Sequence, residues 1–208
     1  MSIQTGRPVT LAPNGVVTSP HSLASAAGVD VLRAGGSAVD AAIATSAVLA
    51  VVYPHMTSIG GDAFWLIHEG KTGKIRFLDG GGRAAARGTI AAFEERGLAE
   101  VPFRGVLPAT LTVPGAVASW AEAHAKFGRL PLKRNLEAAT AYARDGFPVT
   151  ARLAAFIRDT RSELAKSPEA AEIFLPGGDA PAAGQKITNR NLAATLDRLP
   201  ARGKEGCF

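Results

Sequence analysis

The chain has 208 residues, of which 47% are hydrophobic and 20% are charged, a balance typical of a globular domain with a buried core. Its formal net charge is +5, but the lysines and arginines form no basic run and no nucleic-acid-binding motif is recognisable. Cys207 is the single cysteine, which excludes an internal disulfide and a cysteine-based zinc site. We therefore expect no nucleic-acid partner.

The N-terminal segment, residues 1–14, contains two prolines and no apolar core, so it predicts neither a signal peptide nor a membrane anchor. The only long apolar stretch, residues 38–53, includes Asp40 and is shorter than the roughly 20 residues that a bilayer span needs. It predicts a helix that is buried on all sides. We accordingly expect a cytoplasmic protein with no membrane partner.

Two helices are predicted near the N-terminus, after a short strand at residues 15–18. The serine of the Ser-Pro-His-Ser segment at 19–22 is placed to cap a helix that runs to about Arg33. Two glycines at 35–36 supply the flexible end that helices favour, and Ser37 is a second cap candidate.

A hairpin is predicted after the second helix. Residues 63–67 and 74–78 are strand-like, and residues 69–73 form a polar, glycine-containing connection between them. From Thr89 onward the pattern becomes helical, with prolines between the segments. The candidate helices cover residues 90–96, 115–127, 132–145, 151–166 and 189–199. Strands followed by helices indicate an α+β layered domain that lacks part of its sheet.

Self-contained catalytic motifs are absent from the sequence. It contains no Gly-x-Ser-x-Gly elbow, no Walker loop and no His-Glu-x-x-His. The four histidines lack the spacing of metal ligands, so we interpret each as a surface or satisfied polar residue and expect neither a metal nor another cofactor. They are His21, His55, His68 and His124.

A first candidate site lies at residues 53–62, where small residues, hydroxyls and paired glycines follow the buried helix. Paired glycines permit backbone conformations that other residues cannot adopt and allow a partner to come close. Ser58, Gly60, Gly61 and Asp62 are therefore candidates for an active-site loop. A tight turn between helix and strand accounts for the same composition.

A second candidate site is the glycine-rich loop that follows the second strand. Arg83 lies at its end, and an arginine on a flexible loop is suited to bind a carboxylate with its planar guanidinium. Gly81 and Gly82 complete this candidate substrate-binding loop. A solvated surface arginine is the alternative interpretation.

Three segments, residues 15–21, 34–42 and 58–62, together resemble the opening of γ-glutamyltranspeptidases in order and spacing. Further matches lie at residues 107–108 and 113–115, and others follow them, so that the resemblance covers essentially the whole chain. It implies a four-layer αββα sandwich of the N-terminal-nucleophile hydrolase type, with a largely helical second half.

The resemblance also implies a self-processing precursor that cuts itself before a threonine, whose own α-amine then activates the hydroxyl. We expect this nucleophile beyond Phe208, so residues 1–208 are expected to be an incomplete large-subunit portion of one domain without a catalytic residue. The implied partners are a C-terminal small subunit and a small amide substrate that bears a carboxylate.

The implied activity is amide hydrolysis or acyl (γ-glutamyl) transfer, with the isolated chain inactive. The family's transpeptidases carry a carboxylate-binding arginine at the position of Gly81, whereas here Arg83 follows two residues later. This difference looks closer to cephalosporin-acylase-like or oxamate-amidohydrolase-like members. Two alternatives stay open: a noncatalytic interaction module that exposes apolar surface, and a gene fragment without function.

Overall fold

A computed structural model of the chain describes residues 9–101 and 111–202. In these ranges the helices are α1 (Ser22–Arg33), α2 (Ala38–Val52), α3 (Ile90–Glu94), α4 (Ala116–Phe127), α5 (Leu132–Asp145), α6 (Ala151–Asp159), α7 (Arg161–Leu164), α8 (Pro168–Phe174) and α9 (Arg190–Arg202). The strands are β1 (Ala63–Glu69), β2 (Lys74–Gly80), β3 (Phe147–Pro148) and β4 (Lys186–Ile187), and a 3-10 turn covers Pro176–Gly178. The α+β prediction is confirmed.

The predicted hairpin is confirmed as an antiparallel pair of seven-residue strands, β1 and β2. Its register pairs Ala63 with Gly80 and Glu69 with Lys74. A second, shorter antiparallel pair joins β3 to β4. No helix in the described ranges combines the length and apolar character that a bilayer crossing requires.

Helix α2 forms the centre of the core and packs against α1, α4 and α5. Ser37 begins it with a reciprocal capping box, which confirms the predicted cap. Its Asp40 side chain is fully buried, and its two oxygens accept hydrogen bonds from Ser37 N, Arg129 N and Asn135 Nδ2, each at 2.8 Å. Asp40 thereby fastens the start of α2 to α5 and to the loop before it.

The predicted serine cap of α1 is wrong. The N-cap is His21, whose Nδ1 accepts from Leu23 N at 3.2 Å. The Ser19 hydroxyl instead donates to the His21 carbonyl at 2.9 Å, so it braces the turn before the helix. An imidazole nitrogen is an acceptor like a hydroxyl, which is why a histidine takes the capping position.

Residues 15–18 do not form the predicted strand. They pair with no strand in the described part of the chain. A strand is defined by hydrogen bonds to a neighbour, which local sequence preference alone does not supply. Val16 is accordingly exposed.

The predicted helix at 151–166 is also corrected, since it breaks at Thr160 into α6 and α7. The Thr160 hydroxyl donates to the Phe156 carbonyl at 2.7 Å, a side-chain contact that bends helices. Pro168 begins the unpredicted α8, with Ser167 as its cap, because the first turn of a helix tolerates proline.

The hairpin has one covered and one open face. On the covered face, Trp65 Nε1 donates to Ser119 Oγ of α4 at 2.9 Å. The opposite face, here called the outer hairpin face, carries four apolar side chains that are 65–76% exposed. They are Phe64, Leu66, Ile75 and Phe77, and the register places the polar His68 and Asp79 at the two ends of the same face. The described residues thus form a sheet layer with helices on one side only.

Candidate functional site

The two candidate loops meet at Asp62. Its Oδ1 accepts a hydrogen bond from Gly82 N at 2.8 Å and another from Thr112 Oγ1 at 3.2 Å. The loop that contains Gly60 and Gly61 is therefore fastened to the loop that carries Arg83. Thr112 belongs to a third segment, which lies just before α4.

This third segment runs alongside the arginine loop. Val113 N donates to the Arg83 carbonyl at 2.9 Å, and Ala84 forms an antiparallel bridge with Thr112. A Cβ on Gly82 would overlap the Val113 carbonyl oxygen. Only glycine permits so close an approach, so Gly82 is required for the contact between the two segments.

The Gly61 carbonyl lies at the N-terminus of α4, where it accepts from Gly115 N at 3.2 Å and Ala116 N at 2.9 Å. These N–H groups have no partner within the helix, so Gly61 satisfies donors that a helix leaves free. A Cβ on Gly115 would overlap the Gly80 carbonyl, which brings the end of β2 close to the start of α4.

No contact in the described part of the fold requires glycine at positions 60 and 61. A Cβ on either would find only Ser58, at 3.8 and 3.6 Å, which are ordinary van der Waals contacts. Neither residue has a positive φ. Glycine here is thus not needed for packing within the described residues, in contrast to Gly82.

The side chain of Arg83 is exposed, and it forms no ion pair within the described part of the chain. Gly81, two residues earlier, donates its N–H to Asp79 Oδ1 at 2.8 Å. A Cβ at Gly81 would lie 2.9 Å from that same oxygen and 3.2 Å from the Phe64 ring. An arginine at position 81 would therefore require the Asp79 carboxylate to move.

A cavity of about 400 Å³ lies beside the first loop. Its lining combines hydroxyl, imidazole and carboxylate groups with the first residue of α4. The lining residues are Ser46, Pro54, His55, Met56, Thr57, Ser58, Gly61, Asp62 and Ala116. Such a concave space with a few polar groups suits a small ligand.

His55 differs from its sequence-based interpretation as a surface or satisfied residue. Both ring nitrogens are buried and have no hydrogen-bond partner among the described residues. The ring lies between Tyr53 and Phe156, at centroid distances of 4.2 and 5.1 Å. Burial, and then the positive charge of Arg152, lower the pKa of His55 below its ordinary value of 6.5, so the ring is neutral near pH 7.

The structure joins the two predicted loops through the contact of Asp62 with Gly82. Ser58, Gly61 and Asp62 line the cavity, whereas Gly81, Gly82 and Arg83 do not. Sequence reasoning missed Thr112, Val113 and the cavity-lining role of His55. Thr112 lies 50 positions from Asp62, and no local pattern marks that pairing. Within the described ranges, no group of three or more His, Cys, Asp or Glu residues is arranged to hold a metal ion.

The chain is similar in sequence to proteins that are named as hydrolase and amidohydrolase proenzymes. A Bacillus subtilis protein named glutathione hydrolase-like YwrD proenzyme is 40% identical over 193 residues, which cover 93% of this chain and 36% of that protein. The oxamate amidohydrolase proenzyme of Klebsiella pneumoniae is 40% identical over 200 residues, which cover 94% of this chain and 37% of that protein. The chain thus spans about a third of the length of these relatives.

The solved structure of Helicobacter pylori gamma-glutamyltranspeptidase superposes with a TM-score of 0.88 at 31% identity, covering 96% of this chain and 57% of that one. This match confirms the fold that the resemblance implied, so the sheet layer and its helices are part of an N-terminal-nucleophile hydrolase sandwich. The family model described as Gamma-glutamyltranspeptidase matches residues 24–208. The chain therefore belongs to the gamma-glutamyltranspeptidase family.

Proposed function

We propose that the complete protein cleaves a small amide through a covalent acyl-enzyme and releases the acyl group to water or to an acceptor amine. Family membership supports the reaction class, and the two curated relatives carry the names of an amidohydrolase and a glutathione hydrolase-like protein. In the finer proposal, the acyl group bears a carboxylate that this chain binds.

The nucleophile is proposed to be a threonine outside these 208 residues. Its Oγ attacks the amide carbon while its α-amine takes the hydroxyl proton, and the departing amine receives that proton as the C–N bond breaks. Water or an acceptor amine then opens the resulting ester. Both curated relatives are named proenzymes, and this chain covers 36% and 37% of their lengths.

One observation carries the proposed role of this chain: an exposed arginine without an ion-pair partner in the described ranges lies on a loop that is fastened to the cavity-lining loop. Arg83 is that residue, and Asp62 joins the loops. A guanidinium binds a carboxylate through paired, charge-assisted hydrogen bonds. We therefore assign Arg83 to the substrate carboxylate, with Gly81 and Gly82 shaping the loop around it.

The loop geometry favours a substrate class other than that of the transpeptidases proper. An arginine at position 81 would require small shifts of the Asp79 carboxylate and the Phe64 ring. Because this chain has glycine there and arginine at position 83, we propose that the carboxylate is bound from a different point of the loop. An amide whose carboxylate lies at a different distance from the scissile bond, as in oxamate, suits this change. The glycine pair at 60–61 would leave room for the acyl group or for the nucleophile's segment.

Replacement of Arg83 tests this proposal. In the complete enzyme, Arg83→Ala is expected to lower kcat/KM for a carboxylate-bearing amide about 10- to 100-fold, because a charge-assisted contact is lost. Oxamate and L-γ-glutamyl-4-nitroanilide are the substrates to measure. The matched control is Arg87→Ala, which replaces an exposed arginine four positions later. It should leave kcat/KM unchanged for both substrates. Unchanged kcat/KM in Arg83→Ala for every cleaved substrate would remove the role.

The intact mass of the native protein tests the subunit organisation. We propose a processed enzyme in which a second polypeptide begins with threonine and covers the outer hairpin face, whose apolar side chains lack cover within the described residues. Isolated residues 1–208 are then expected to cleave neither substrate. Cleavage by the isolated chain would contradict the proposed placement of the nucleophile.

A further inference from the structure

The exposed carboxylate of Asp62 joins two segments of the chain next to Arg83. Its Oδ1 accepts one hydrogen bond from the arginine loop and one from the segment that runs alongside that loop. One donor is the main-chain N–H of Gly82, which directly precedes the arginine. The other is the hydroxyl of Thr112. The main chain of Thr112 also forms an antiparallel bridge with Ala84, the residue directly after the arginine. Asp62 therefore holds both sides of the arginine loop.

The contacts that hold Arg83 within the described ranges involve its main chain. Its carbonyl accepts from Val113 N at 2.9 Å, while its guanidinium has no ion-pair partner there. The direction in which this side chain leaves the loop is thus set by the backbone at residues 82–84. Asp62 fixes that backbone from one side, and residues 112–113 fix it from the other.

We propose that Asp62 is a positioning residue that orients Arg83 for a carboxylate-bearing acyl substrate. This inference rests on the proposed carboxylate-binding role of Arg83. In this proposal Asp62 acts through the loop and does not bind the substrate carboxylate, because two like-charged carboxylates repel each other. The Asp62 carboxylate also lines the cavity, but its Oδ1 is engaged by Gly82 N and Thr112 Oγ1. Its charge strengthens both hydrogen bonds relative to those that a neutral amide would accept.

These contacts predict the order in which three substitutions weaken substrate binding. Asp62→Asn retains an acceptor oxygen but loses the charge, so the loop is held more weakly. Asp62→Ala removes the acceptor and frees Gly82 N and Thr112 Oγ1 together. Thr112→Val removes one of the two donors and leaves the Gly82 contact in place. The effect on binding should rise from Asp62→Asn and Thr112→Val to Asp62→Ala.

Steady-state kinetics of the complete, processed enzyme test the proposal with two matched pairs of substrates. Oxamate is compared with oxamide, and L-γ-glutamyl-4-nitroanilide with the same anilide whose α-carboxylate is a carboxamide. We expect Asp62→Ala to raise KM for a cleaved carboxylate substrate about tenfold, the equivalent of about 1.4 kcal/mol, with kcat nearly unchanged. KM for the uncharged counterpart should not move, and Asp62→Asn should restore part of the loss.

A double variant separates positioning from general stabilisation. If Asp62 acts through Arg83, then adding Asp62→Ala to Arg83→Ala should leave KM where Arg83→Ala alone puts it. An equal rise in KM for charged and uncharged substrates, or additive effects in the double variant, would overturn the inference. If Asp62→Ala does not fold, the same comparison is made with Asp62→Asn and Thr112→Val, each alone and combined with Arg83→Ala.

The failure of the proposed function gives a different result. A wild-type enzyme that cleaves none of the four substrates overturns the activity, and the positioning role with it. If wild type is active but Arg83→Ala binds the carboxylate substrates as well as wild type does, the arginine assignment fails, and so does the inference. In a third outcome, wild type and Arg83→Ala behave as proposed but Asp62→Ala has the KM of wild type. That result overturns the positioning role alone.

Discussion

At the scale of single residues, Asp40 shows how a buried charge is accommodated. Burial would by itself raise the pKa of Asp40, but hydrogen bonds from Asn135, Ser37 and Arg129 outweigh this effect and hold the pKa below its ordinary value of 3.8. The carboxylate is therefore ionised at neutral pH. Its contribution to stability is present above that ordinary value and is lost as the pH falls through the lower, folded-state pKa.

Asp40→Asn is expected to lower the free energy of unfolding by about 1–3 kcal/mol, because the hydrogen bonds from Ser37 N and Arg129 N lose their charge assistance when an amide oxygen replaces the carboxylate. Urea unfolding at pH 7 measures the change. Asp159→Asn is the matched control, since Asp159 is exposed and forms no ion pair within the described ranges. Equal unfolding midpoints for the two variants would contradict the expectation.

The neutral His55 predicts a pH dependence of stability. A histidine whose pKa is lower in the folded state binds fewer protons there, so stability is lost as the pH falls below about 6.5. His55→Gln should reduce this loss between pH 7 and pH 5. Arg152→Gln should reduce it less, because burial lowers the pKa more than the charge of Arg152 does. Identical pH slopes in unfolding experiments on all three proteins would contradict the assignment.

At the scale of elements, the glycines around the site have separate roles. Gly82 and Gly115 allow close packing between the end of the hairpin and the segment before α4. Gly60 and Gly61 have no such neighbours in the described fold. Glycines of the first kind serve packing, whereas a Cβ at either glycine of the second kind would make only ordinary contacts with Ser58.

Gly82→Ala and Gly60→Ala make a matched pair of variants. The first forces a methyl group into the Val113 carbonyl and is expected to destabilise the protein by about 1–3 kcal/mol. The second should alter the thermal unfolding midpoint little, while lowering kcat/KM if the loop adjoins the substrate. Thermal unfolding and steady-state kinetics on both variants measure this. Equal loss of stability in the two would show that Gly60 also serves packing.

At the scale of the whole molecule, the open side of the hairpin is an exposed apolar surface. It carries four large apolar side chains, with Leu66 directly opposite Phe77 across the strands. Exposed apolar patches of this kind commonly mark interaction surfaces or lead to association. The fold therefore agrees with both the two-subunit enzyme and the interaction module considered from the sequence.

Residues 1–208 expressed alone are expected to self-associate through the outer hairpin face. Leu66→Lys combined with Phe77→Glu places an opposite-charge pair across the strands and should shift the chain toward the monomer. Val9→Lys with Leu11→Glu is the control, because it changes two exposed apolar residues outside the hairpin. Light scattering after gel filtration measures the mass. A monomeric wild-type chain would contradict the prediction.

The sequence by itself determined several of the local elements and the family. The cap at Ser37, the hairpin around residues 69–73 and helix α5 follow from short-range patterns, since hydrophobic period, capping and turn chemistry act over a few residues. Both candidate loops were identified because unusual glycine content is visible in sequence. The missed break at Thr160 is a case in which a side-chain hydrogen bond competes with helix periodicity.

Only the tertiary structure decided which of these elements meet. Asp62 lies 20 positions from Gly82 and 50 from Thr112, and no local preference encodes such pairs. The same holds for the burial of the His55 nitrogens and for the unpaired residues 15–18, because a strand forms there only if a neighbouring strand is present. Long-range contacts arise when the whole core packs, so the site's geometry is a property of the fold rather than of any segment.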